Sequence, residues 1–409
     1  MSKDRQQWDP KTSSHRFWIL AVSLIITSGT AISPALPAMQ RAFSNYPSTL
    51  VNMVATIQQI PAFIILLFSS QLAAKFGIKK VVGIGMLLMG LAGIAPVILS
   101  NLWLVLFARI IFGIGIGMTN SLAITLINLY YEGDDQAQML GERSAFEPIG
   151  ICIINLMAGV LLNISWQFSF LAYAFILVVL AGFWKVVPEY HLSKKAKKEN
   201  TEKPKLSWPI VWSAIFCGTL TIGMAIVNVL TPSVVVQNHM GDGTTAAFII
   251  TAYTLASMAM GFLFGSAFKA FRRYVLLAGL ACMVVGTLMM NFASNIWSLT
   301  LAVAIIGFSY PLAGTYVFNT IDNRIPKSAD GLANSILLIG CNVGTAFAPA
   351  VVSFLGIFSP FKGTNPGIGM YGLLVLVMAV VILLAMIRPK GHHEKKGHSH
   401  HQGLRHQTA

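Results

Sequence analysis

Apolar residues run through this chain in long unbroken blocks separated by short polar joints. Twelve blocks stand out, near 17–38, 48–70, 81–99, 102–128, 138–162, 167–187, 209–236, 244–268, 274–293, 296–320, 330–357 and 367–388. Each is about 20 residues or slightly more, the length a helix needs to cross a hydrocarbon layer about 30 Å thick. The blocks are continuous and do not alternate, so they predict helices and not the strands of a barrel. The expected fold is an all-α membrane protein with twelve transmembrane helices.

The joints carry the charge. Lys3, Arg5, Lys11 and Arg16 precede the first block, and Lys75, Lys79 and Lys80 join the second to the third. Arg143 enters the fifth. A lysine-rich stretch from Lys185 to Lys205 separates the sixth from the seventh. Lys269, Arg272 and Arg273, then Arg324 and Lys327, then Arg388 and Lys390 follow the eighth, tenth and twelfth. If all twelve blocks cross, every one of these lies on the same side. The opposite joints hold only Arg41, Asp242 and Lys362 among charged residues. The positive-inside rule then puts both termini in the cytoplasm of a cell membrane, inner or plasma, crossed many times. The formal net charge of +14 faces anionic headgroups, and no nucleic-acid partner is needed to explain it.

Composition closes off the soluble alternatives. The chain is 55% hydrophobic and 10% charged, where soluble domains run at about 25% charged. The start from Met1 to Arg16 shows no pattern of a cleavable signal peptide. Cys152, Cys217, Cys282 and Cys341 all lie inside apolar blocks without a CxxC spacing, so neither a disulfide framework nor a metal site is expected.

The one long polar connector, about 189–207, divides the blocks six and six. The expected organisation is a cytoplasmic N-terminus over 1–16, a six-helix half over 17–187, and a linker over 188–208. A second six-helix half follows over 209–388, then a His-rich tail over 389–409. The two halves are related. Ser100-Asn-Leu-Trp and Gly113 recur as Ser294-Asn-Ile-Trp and Gly307, at an offset of 194 residues. At an offset of 190, Gly141 meets Gly331 and Gly150 meets Gly340. Such a repeat implies a substrate site between the halves near the midplane.

Twelve helices, the six-plus-six repeat and the basic central connector resemble the major facilitator superfamily of secondary transporters, over about 17–388. The family's basic loop after helix 2 is matched here by Ser70-Gln-Leu-Ala-Ala-Lys-Phe-Gly-Ile-Lys-Lys, in which Lys75, Gly77 and Lys79 fit and Ala74 stands where the family has aspartate. The family's helix 4 motif fits at Arg109, Gly113 and Gly115, with Gly117 following. Ser33-Pro-Ala-Leu-Pro resembles the drug:proton antiporter branch. The branch's helix 5 motif is only partly kept, around Asn155 and Gly159. In the superfamily the arginine matching Arg109 lies in or beside the central cavity.

Two charges inside apolar blocks mark the candidate chemistry. Counting 1.5 Å per residue, Arg109 lies about 12 Å into its block and Glu147 about 13 Å into the next, from opposite faces. Both therefore fall near the midplane, a depth that permits a contact or a shared cavity. The repeat equivalents are Val303 and Leu337, so the polarity belongs to one half. Glu147, the one acid well inside a block, is expected to couple transport to protons, with Arg109 as its modulator or as an anion anchor. The competing readings are a fixed ion pair between the two helices, and an Arg109 that hydrogen-bonds carbonyls of the first helix. Pro148 loosens the backbone beside Glu147 or is a static kink. Arg143, Lys75, Gly77, Lys79, Gly113 and Gly117 are candidates for conformational roles, the glycines through close helix packing.

Gln58, Asn228 and Asn342 near mid-helix, and Phe146, Tyr253 and Tyr310, are candidate substrate contacts. Amides in membrane helices serve equally as interhelical glue. His392, His393, His398, His400, His401 and His406 in the tail suit weak zinc or nickel binding or form a solvated end. No enzyme site is expected, since a nucleophile–base pair or metal cluster at membrane depth is missing. The expected function is proton-coupled export of small amphipathic organic compounds by a monomer that needs no cofactor beyond the proton gradient. The alternative is proton-coupled uptake of a small anionic metabolite.

Overall fold

The computed structural model describes residues 12–131, 133–189, 208–321, 330–361 and 365–387. The linker core, the His-rich tail and most of the N-terminal stretch lie outside these residues, as does Lys362. Helices take all twelve predicted places. Helix α1 is Ser13–Ile26 followed by Ser28–Ala42, bent by 47°. Helix α2 starts as Ser48–Asn52, tightens through the 3-10 turn Met53–Ala55, and resumes as Gln59–Phe76. The rest of the first half is α3 (Ile78–Val97), α4 (Leu102–Tyr130), α5 (Gly133–Leu161) and α6 (Phe168–Val186). The second half comprises α7 (Trp208–Gln237), α8 (Gly243–Phe271), α9 (Val275–Asn291), α10 (Ile296–Ile321), α11 (Asp330–Ile357) and α12 (Pro366–Ile387). Among the described residues, nine helices are long and apolar enough to span a membrane, ten with the bent pair counted as one. The shorter apolar stretches Phe146–Leu161 and Val275–Asn291 fill the fifth and ninth places.

Two features depart from the sequence pattern. The first block is not a continuous helix but breaks around Thr27 to Ala35, and the second breaks around Thr56. The fifth helix begins at Gly133, five residues earlier than the hydrophobic block at 138, because its first turn is polar and hydropathy alone cannot see it.

The repeat is visible in the packing. Asn101 caps α4 by accepting from the Trp103 N–H at 2.8 Å, and Asn295 caps α10 by accepting from the Ser298 N–H at 2.8 Å. A Cβ on Gly150 would overlap the Leu24 carbonyl of α1, and one on Gly340 the Ala214 carbonyl of α7. Both members of that contact shift by the same 190 residues. Without a hydrophobic driving force between helices in lipid, such backbone approach supplies the packing energy.

The halves meet along α5 against α8 and α2 against α11. Hydrogen bonds between them gather toward the end that carries Arg41 and Asp242. Thr49 Oγ1 is 2.7 Å from Ser353 Oγ, and Thr56 donates to the Ala346 carbonyl at 3.0 Å. Asn155 donates to the Ala247 carbonyl at 2.9 Å, and Thr244 to the Gly159 carbonyl at 2.8 Å. Arg41 and Asp242, two of the three charges expected on that face, line one crevice of about 450 Å³ between the halves. Toward the lysine-rich end, positions where a Cβ would stand on Gly261 and Gly265 have no atom within 4 Å.

Candidate functional site

Arg109 is fully buried. Its Nε donates to the Val54 carbonyl at 2.9 Å, and its Nη2 donates to the Gly29 carbonyl. Those two carbonyls belong to the breaks in α2 and α1. A broken helix in lipid leaves backbone acceptors that water cannot reach, and a planar guanidinium can serve two at once. The guanidinium carbon also lies 4.4 Å from the Phe112 ring centroid and 5.1 Å from that of Tyr173. Tyr173 in turn donates toward the Ser28 and Gly29 carbonyls at 3.2 and 3.3 Å. The charge is thus held by carbonyl dipoles and ring faces, with no carboxylate among its partners.

Glu147 has a different partner. Arg143, one turn earlier on α5, places Nη2 2.6 Å from Glu147 Oε1. The pairing of Glu147 with Arg109 that their common depth permits does not form. Depth follows from counting residues, but direction follows from which face of each helix is packed. The i,i+4 spacing of Arg143 and Glu147 was the available signal for the actual pair. Nearby, Arg16 reaches Glu142 at 2.9 Å and Phe17 stands edge-on to Phe146 at 6.3 Å, tying α1 to the same end of α5. Pro148 lies inside α5 immediately after Glu147, so the carbonyl of Ser144 loses its helical donor.

The remaining candidates scatter. Gln58 is buried beside Gly29, and its Nε2 donates to the Ala55 carbonyl at 2.6 Å, so it belongs to the α2 break. Asn228 and Asn342 are satisfied within their own helices, donating to the Met224 carbonyl at 2.9 Å and the Leu338 carbonyl at 2.8 Å. Tyr253 is buried, with its backbone against Gly307. Tyr310 is half-buried with its hydroxyl 3.9 Å from Cys341 Sγ. Gly113 and Gly117 stand against the carbonyls of Gln58 and Ala62 on α2.

At the α2–α3 turn, Gly77 takes a φ of +93°, a left-handed conformation that disfavours other residues. Lys75 is exposed over its own neighbour's ring, Phe76, at 5.1 Å. The Lys79 N–H donates to Glu189 Oε1 at 3.1 Å, and its ammonium lies 5.3 Å from the Trp184 ring centroid. A carboxylate therefore does sit at this turn although Ala74 holds the position expected to supply it. The residues that sequence reasoning did not single out are Tyr173, Glu189, and the interface hydroxyls Thr49, Thr56 and Thr244.

A family model described as "Major Facilitator Superfamily" matches the chain twice, over residues 18–227 and 214–407, one match for each half. The chain belongs to the major facilitator superfamily. It is accordingly a membrane-embedded transporter of small molecules and not an enzyme. A curated relative, "Major facilitator superfamily multidrug transporter mfsC" of Aspergillus fumigatus, is 27% identical over 169 residues. That match covers 41% of this chain and 32% of the relative, so the chain spans about a third of that protein's length.

Solved structures share the fold at low identity. The nucleoside transporter NupG superposes with a TM-score of 0.71 at 11% identity, covering 91% of this chain and 99% of that one. An inward-open xylose transporter XylE from E. coli gives 0.71 at 14% identity, covering 92% and 96%. A peptide transporter POT in complex with sulfate gives 0.72 at 12% identity, covering 91% and 94%.

Proposed function

We propose that this transporter exports small amphipathic organic compounds in exchange for protons, as a monomer, by alternating exposure of a site between its halves. The lysine-rich face is assigned to the cytoplasm by the positive-inside rule. The hydrogen bonds between halves then close the outer end, and the substrate path opens inward.

The observation that carries the coupling step is the Arg143–Glu147 pair on α5. Glu147 is held by a partner on its own helix, so a local swing of Arg143 frees the carboxylate without separating two helices. Proton uptake by the freed carboxylate, and release when the pair re-forms, is the coupling step of this reading. The same helix carries Asn155 and Gly159, which bond α8 at the closed end. A change around Pro148 therefore reaches both the proton-carrying group and the outer closure.

Two considerations favour export of organic compounds over uptake of an anion. The mfsC relative is named as a multidrug transporter. The uptake reading needs Arg109 free to meet an anion, and its full burial with Nε and Nη2 both engaged weighs against that.

The deciding experiment compares wild type and Glu147→Gln in oriented proteoliposomes. Proton-driven export is expected to be lost in the variant while substrate exchange across the membrane continues. Driven export at the wild-type rate would remove Glu147 from the coupling step. Inhibition by lipophilic cations but not by organic anions is expected; the reverse pattern would favour anion uptake.

A further inference from the structure

The first half carries an apolar groove outside the interface between the halves. It runs between α3 and α6, encloses about 650 Å³, and lies between Gly83, Ile84 and Leu87 on one side and Leu177, Trp184 and Lys185 on the other. That volume is within the range of about 300–1,000 Å³ typical of small-molecule sites. Ile84, Leu87 and Trp184 are between 43% and 48% exposed, so the groove opens outward to the lipid. Its depth comes from Gly83, against which the Trp184 ring is pressed. From Leu177 to Trp184 the groove follows α6 for about 10 Å.

One end of the groove is apolar and the other is cationic. Lys185 lines it, Lys79 holds its ammonium 5.3 Å from the Trp184 ring, and Lys80 is exposed beside it. The carboxylate beside this cluster, Glu189, accepts from the N–H of Lys79 at the start of α3. Among the described residues, three lysines thus face one acid that is already engaged. A tryptophan at such a boundary marks the headgroup level, and basic pockets between helices at that level recognise acidic lipid headgroups.

We propose that this groove is a site for one anionic glycerophospholipid of the lysine-rich leaflet. One acyl chain lies along Ile84, Leu87 and Leu177, and the phosphate is held by Lys185 and Lys79. The hydrocarbon part alone would accept any lipid; the lysines make the site selective for negative charge. The headgroup end touches the α2–α3 turn and the start of the central linker, so occupancy would brace that corner of the first half.

The test is native mass spectrometry of the full chain released from nanodiscs of mixed phosphatidylcholine and phosphatidylglycerol. One phosphatidylglycerol is expected to remain bound per chain. Ile84→Trp or Leu87→Trp, each on the exposed wall, should fill the groove and remove it, with thermal unfolding in detergent unchanged. Lys79→Glu and Lys185→Glu should each lower retention roughly fivefold, whereas Lys269→Glu, on the same face of the other half, should not. The proposal is overturned if phosphatidylcholine is retained equally, if the tryptophan variants keep phosphatidylglycerol, or if Lys269→Glu depletes it as much.

Discussion

Arg109 Nε donates to the Val54 carbonyl across 55 residues of sequence, at 2.9 Å. The second half shows what this bond accomplishes. At the offset of 194 residues, Arg109 corresponds to Val303 and Val54 to Phe248, and α7 takes the place of α1. There α7 runs unbroken over Trp208–Gln237 and α8 unbroken over Gly243–Phe271. Where the arginine is present, both partner helices break; where valine replaces it, neither does. The guanidinium and the breaks are two parts of one arrangement, because each freed carbonyl needs a donor that lipid does not provide.

Arg109→Val, the residue of the second half, is therefore expected to destabilise the fold. The Val54 carbonyl loses its donor, at about 1–3 kcal/mol for a buried acceptor left unpaired, and the Gly29 carbonyl keeps only Tyr173. Arg109→Lys should rescue little, since one ammonium does not reproduce the planar fork. Thermal unfolding in detergent reads both; a melt equal to wild type for Arg109→Val would contradict the account.

Arg143 and Glu147 should act as one unit. Arg143→Gln and Glu147→Gln are each expected to impair proton-driven transport, and the double variant should be no worse than the more damaged single one. Multiplying losses in a transport-rate cycle would mean that the two side chains work independently.

The closed end should have to open for turnover. With Thr49 and Ser353 hydroxyls 2.7 Å apart, Thr49→Cys with Ser353→Cys should cross-link under mild oxidation in a background lacking the four native cysteines. Transport should stop on oxidation and return on reduction. Undiminished transport by the cross-linked chain would show that this end stays shut throughout the cycle.

Asp242 caps α8 at the same end, accepting from the Thr245 N–H at 2.9 Å. That bond, the foremost cause, holds its carboxyl below the ordinary aspartate value. A depressed folded value means the stabilisation is present above the unfolded value and fades as pH falls through the folded one. Asp242→Ala should lower stability by about 1 kcal/mol near neutral pH. The difference from wild type should shrink in melts taken below about pH 4. A difference independent of pH would point to packing instead of the charged cap.

The amides and tyrosines show how far residue type goes. Asn155 and Asn228 look alike in sequence, yet one bonds across the halves and the other bonds its own helix. Hydropathy locates such residues at a depth but leaves the rotation of their helix open. The coupling candidate Glu147 was legible as an acid in an apolar block. Its partner was legible only from i,i+4 spacing, against the competing attraction of an arginine at equal depth.

The sequence by itself determined the helix count, the two-fold repeat with its shared Ser-Asn-x-Trp caps, and the segregation of lysines to one face. These follow from local requirements: a span needs about 20 apolar residues, and a helix satisfies its own backbone. Tertiary structure alone decided that Arg109 serves the carbonyls of Gly29 and Val54 while Glu147 keeps to Arg143. A backbone carbonyl exists at every position and leaves no mark in the sequence. Only the packing of α1, α2 and α4 brings those two within reach of one guanidinium.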